Sequence, residues 1–113
     1  MDLKSFKNEA KFDATRVKTK MLIETSFSKE IQILLSVGQV MKEHKTPFPI
    51  LIHLLEGNID LGVQGKINLM KAGDIIALEG GISHDLTAKE NSIIRLTLSK
   101  HDKVKRLKEV LES

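Results

Sequence analysis

His44 and His84 are the residues of this chain whose type and setting could do chemistry. An imidazole titrates near neutral pH, so it can move a proton, bind a metal or accept a hydrogen bond. Each of the two is framed by glycine. Five residues separate Gly38 from His44, and an apolar run then leads to Leu55-Glu56-Gly57. Gly73-Asp74 leads to Gly81 and, past two intervening residues, to His84. Framing of this kind suggests two strands that face one cavity. An isolated histidine is more often a neutral, hydrogen-bonded residue near a barrel mouth, and that reading stands beside the ligand-binding one.

Neighbouring groups add little. Glu43 and Asp85 sit next to the histidines in sequence, so on strands they point to the opposite face. Ser83-His84-Asp85 contains the residue types of a triad, but adjacent strand residues cannot converge on one site. There is no phosphate-cradling glycine loop, paired CxxC or HExxH pattern.

The elements that must position these residues are strands. Ile31, Ile33, Leu35 and Val37 alternate with Gln32, Leu34 and Ser36; Ile59, Leu61 and Val63 alternate with Asp60 and Gly62; Ile94, Leu96 and Leu98 alternate with Arg95 and Thr97. A period of two marks strands with one face in a core. Turn signals separate them at Glu56-Gly57-Asn58, Gln64-Gly65-Lys66, Ala72-Gly73-Asp74 and Gly80-Gly81. About nine short strands over 17–98 are expected, which implies an antiparallel sandwich or barrel. Pro47 and Pro49 remove two backbone donors and mark a loop or edge before the strand at Ile50.

The two ends read differently. Residues 1–20 form an N-terminal extension, of which 1–15 read as a polar lead-in that adds a short helical turn or an outer strand. Asp102 caps a helix over 102–112, in which Val104, Leu107, Val110 and Leu111 recur at helical spacing. Residues 30–98 are the barrel core, and 1–113 make a single domain. Ile50 to Leu55 is apolar on both faces except at His53, so a second layer is needed. A second subunit would supply it, and a homodimer is expected.

Composition excludes several classes. With 41% hydrophobic and 29% charged residues the chain is an ordinary globular protein, and no apolar run approaches the ~20 residues that span a bilayer. It has no cysteine, hence no disulfides and no thiolate chemistry; a cytoplasmic setting is the simplest expectation. The net charge of +3 is spread along the chain, and without Trp or Tyr there is no stacking platform for nucleic acid. Neither a nucleic-acid nor a membrane partner is expected. A small-molecule ligand in the barrel is.

The arrangement resembles the cupin superfamily of small antiparallel jelly-roll barrels, over about residues 30–98. That family's first motif reads G-x(5)-H-x-H-x(3)-E-x(6)-G and its second G-x(5)-P-x-G-x(2)-H-x(3)-N. Gly38, His44, Gly57, Gly73, Gly81 and His84 fall on matching places without a gap. The resemblance implies an all-β, double-stranded jelly roll, here with a short C-terminal helix. It also implies one metal held by the motif histidines and glutamate. In this chain the second histidine is replaced by Thr46, the glutamate by Ile50, the proline by Glu79 and the asparagine by Ala88. Two of four ligands, His44 and His84, remain, so the two-histidine, one-carboxylate set of non-haem iron enzymes is incomplete. Glu79, in a turn, is the one plausible replacement carboxylate. His53, at an odd offset from Ile50, points outward, and His101 lies beyond the barrel.

Three functions follow from this. The leading one is a metal-free or weakly metal-binding barrel that binds or senses a small molecule, with His44, Thr46, Ile50 and His84 as its lining. No cofactor is firmly expected; a weakly bound divalent zinc, manganese, iron or nickel ion on His44 and His84 is the alternative, in an enzyme of the dioxygenase or isomerase kind. The third is a dimeric, partner-binding barrel whose interior is closed by Phe48, Ile50 and Ile52.

Overall fold

In a computed structural model, residues 1–100 are described. Among them nine strands alternate with short turns: β1 (Lys18–Glu24), β2 (Ser28–Leu35), β3 (Val40–His44), β4 (Ile50–Glu56), β5 (Asn58–Val63), β6 (Lys66–Lys71), β7 (Ile75–Leu78), β8 (His84–Ala88) and β9 (Ser92–Ser99). They form a five-stranded sheet in the order β1-β2-β9-β4-β7 and a four-stranded sheet in the order β3-β8-β5-β6. Every described pairing is antiparallel. The helix expected over 102–112, and His101, lie outside the described residues, which contain no helix.

The alternation in sequence becomes the two faces of each sheet. Ile33, Leu35, Ile50, Ile52, Leu54, Leu78 and Ile94 face Ile59, Leu61, Met70, Leu86 and Ala88 across one core. Eight of the largest of these side chains are almost wholly inaccessible, and each contributes roughly 1.5–3 kcal/mol by leaving water. Stability therefore rests on this apolar layer.

The lead-in forms neither a helix nor a strand before Lys18. Its backbone is tied to side chains of the barrel instead. Phe6 O accepts from Gln32 Nε2 at 2.9 Å, and Asp13 O accepts from Gln39 Nε2 at 2.8 Å and Ser36 Oγ at 3.0 Å. Gln32 lies opposite Arg95, on the face of β2 away from the core, where Leu34 and Ile93 are also buried. Part of the second layer is thus the chain's own N-terminus. β4 is less covered than its composition suggests: Ile50, Ile52 and Leu54 are buried, His53 and Leu55 half-buried, and Leu51 exposed.

Candidate ligand-anchoring site

His44 and His84 meet. They are direct partners across the antiparallel β3–β8 pair, with ring centroids 4.3 Å apart and planes tilted by 58°. Strand parity alone does not give this. Met41 pairs with Leu86 and packs on the core, while His44 pairs with His84, so three steps on β3 match two on β8. The extra residue is a β-bulge, and it turns His44 onto the core-facing side.

The flanking residues hold that geometry. Glu43 Oε1 accepts from Ser83 Oγ at 2.5 Å on the other side of the strand pair, a clasp at the level of the histidines. The loops at this end, 45–49 and 79–83, also hold each other: Gly81 N–H donates to Thr46 O at 2.8 Å. Gly81 has φ +83°, and a Cβ on Gly80 would collide with the Pro47 carbonyl. The tight Gly80-Gly81 turn thus serves a loop-to-loop contact. β9 ends beside them, where Ser99 Oγ donates to Pro49 O at 2.7 Å. This end of the barrel is its mouth.

Each ring is fixed from behind. His44 Nδ1–H donates to Lys42 O at 2.9 Å and His84 Nδ1–H to Ile82 O at 3.1 Å. Neither Nε2 has a hydrogen-bond partner among the described residues. His84 is 2% exposed, His44 half-buried. Burial is the main cause that holds the His84 imidazole below its ordinary 6.5; the Ile82 carbonyl opposes it and the nearby His44 adds to it.

The other expected site residues fare differently. Thr46 is near the pair in the mouth loops, but its hydroxyl donates to Phe48 O at 3.0 Å. Ile50 and Ile52 are core residues, 3% and 1% exposed, whereas Phe48 is half-buried. The barrel is therefore packed beyond its mouth, and a ligand site is confined to the histidine end. Glu79 is exposed in the loop after β7. Asp85 faces away from the core over Gly62, and His53 pairs with Ile75 and Arg95 on the outer face, both as alternation predicts. A separate open hollow of about 530 Å³ at the opposite end is lined by Phe12, Val37, Glu56, Lys89, Glu90 and Asn91, none of them expected site residues.

No family model matches the sequence, and no curated protein matches it. Solved structures do. An RmlC-like cupin protein from Desulfovibrio desulfuricans superposes with a TM-score of 0.81 at 18% identity, over 88% of this chain and 96% of that one. The chain has the cupin fold. A conserved protein of unknown function from Streptococcus pyogenes gives 0.76 at 19% identity, over 87% of this chain and 86% of that one. A cupin superfamily protein from Desulfitobacterium hafniense gives 0.74 at 11% identity, covering 80% and 83%. At such identities the likeness is one of fold, and a cupin fold hosts many activities.

The metal that the cupin resemblance implies does not fit the residues present. Among the described residues no group of three His, Cys, Asp or Glu could hold a metal ion. Two imidazoles remain, with Thr46 turned to a backbone carbonyl and Ile50 in the core. No helix of the described residues is long and apolar enough to cross a membrane.

Proposed function

We propose that this cupin is a small-molecule binding or sensing barrel that is metal-free or binds metal weakly, with His44 and His84 as its polar anchors at the mouth. One observation carries the reading: two adjoining, mutually tilted imidazoles are each held from behind by a backbone carbonyl and keep Nε2 unpaired among the described residues. Among the described residues the one buried side-chain polar atom without a partner is Asp60 Oδ1, so both Nε2 lone pairs reach the surface, where an entering ligand can take them. Small-molecule sites have this make-up, a largely apolar lining with a few placed polar groups. Thr46 belongs to the rim of such a site, and Ile50 to its floor.

The test is direct. Protein purified without an affinity tag or chelator should carry metal well below one equivalent. Added divalent cations should raise its melting temperature little, because a tightly bound metal must stabilise the fold by mass action. Near-stoichiometric metal, lost together with stability in His84→Ala, would overturn the metal-free reading.

The packed Ile50 and Ile52 favour a second reading, a closed barrel that serves as a dimeric partner-binding module. The occupant we propose for it is a second copy of the chain. It would cover Leu51 and Ile75, which are 39% and 56% exposed on the outer face of neighbouring strands β4 and β7. Light scattering that gives a monomer across micromolar concentrations would contradict this.

A further inference from the structure

A backbone carbonyl can only accept a hydrogen bond, so the contacts to Lys42 O and Ile82 O place the single N–H of each neutral ring on Nδ1. Nε2, across the ring, is then a lone pair. Thr46 offers nothing different, because its one hydroxyl proton is given to Phe48 O. His44, His84 and Thr46 are therefore acceptors toward anything that meets them.

Charge complementarity narrows the ligand further. An anion would meet lone pairs with no N–H to receive it. A second proton on His84 is opposed by its burial and by the His44 ring at 4.3 Å. An ammonium group would meet acceptors, but among the described residues no carboxylate gathers with the two rings: Glu43 is engaged with Ser83 on the opposite side of the strand pair, Asp85 lies over Gly62 on the outer face, and Glu79 is exposed in its loop. Burial of an unpaired charge is costly, whereas a neutral hydroxyl arrives with the proton these nitrogens lack. The rest of the surroundings is apolar, with Val63 opposite His84 and with Met41, Ile50 and Ile82 packed on the core.

We infer that the His44–His84 pair takes a neutral, hydroxyl-bearing small molecule, an alcohol or polyol with an apolar face, through two adjacent lone pairs. This rests on the ligand-anchoring reading above. The experiment uses the whole chain with labelled histidine at about pH 7.5, above the ordinary histidine range. Three probes share one ring: cis-1,2-cyclohexanediol, cyclohexylammonium and cyclohexanecarboxylate. The diol should shift the ring signals of both histidines and bind about tenfold or more tightly than either charged probe, the order set by exchanging a made hydrogen bond for an unpaired group. If a charged probe binds as well as the diol, the inference fails and the anchoring reading stands. If none of the three moves either ring, both fail.

Discussion

The barrel buries two polar clusters and finishes them differently. On the outer face of the five-stranded sheet, Glu30 Oε1 accepts from Thr97 Oγ1 at 2.6 Å and Arg95 Nε at 2.8 Å, while Oε2 accepts from Ser28 Oγ at 2.8 Å. Both oxygens are used. Burial alone would raise the Glu30 carboxyl, but these three donors outweigh it and hold the group below its ordinary 4.5. At the mouth, each histidine has one nitrogen satisfied and one open. A closed network that joins β2 to β9 serves register and stability. A half-open one gains little for the fold and stays available to a partner.

The strongest way to break this comparison is Glu30→Ala. It leaves Arg95, Thr97 and Ser28 without their acceptor and should cost about 2–3 kcal/mol, discounted from the buried-charge range because the Arg95 side chain is 44% exposed. The urea midpoint reads it. A loss below ~0.5 kcal/mol, the scatter of ordinary surface changes, would show that the closed cluster is no more structural than the open one.

Acid separates the two clusters next. Folded His84 binds a proton less readily than unfolded His84, so its contribution is full above 6.5 and is lost as pH falls below that value. Folded Glu30 gives up its proton more readily than the unfolded chain, so its contribution is full above 4.5 and is lost as pH falls through its lower folded value. Urea midpoints against pH should decline in two stages. His84→Gln should remove the upper stage alone, and Glu30→Gln the lower.

A smaller effect is expected from His84→Leu. Stability should change by about 1 kcal/mol or less, since the substitution loses one bond to Ile82 O and keeps a buried side chain of similar size. Diol binding should disappear. A variant that loses stability without losing binding would invert the comparison.

How legible these clusters were in the sequence follows from strand parity. Alternation of Ile31, Ile33 and Leu35, or of Ile94, Leu96 and Leu98, is enough to place the core, and it sends Asp85 and His53 outward as observed. Of the framing glycines Gly81 marks a mouth loop, whereas Gly57 lines the hollow at the opposite end. Parity could not reveal the bulge between Met41 and His44, because one unpaired residue depends on which β8 residue each β3 residue meets. The Glu43–Ser83 clasp is equally hidden: its partners are 40 positions apart, and each reads as an outward neighbour of a histidine. The Glu30 network was missed because β2 reads as a strand with a solvent-facing polar side. The lead-in meets the same face of β2 two residues on, where Gln32 donates to Phe6 O, and its sequence carries no periodic signal. Ile50 as pocket lining came from motif position, and the core pairing with Leu78 and Leu98 makes it floor instead.

The smallest predicted effect tests the clasp. Ser83→Ala should cost about 0.5–1 kcal/mol, one exposed hydrogen bond, and should move the ring resonances of His44 more than those of residues on β5. Unchanged His44 resonances would mean that the bulge holds the ring without Glu43.

The central claim is that both histidines present an open Nε2 acceptor at the mouth. Long-range proton–nitrogen correlation of the labelled histidines in the ligand-free chain, at about pH 7.5, above the ordinary histidine range, reads it most directly. The account predicts a protonated Nδ1 and an unprotonated Nε2 on both His44 and His84. A proton on Nε2 of either ring would contradict it.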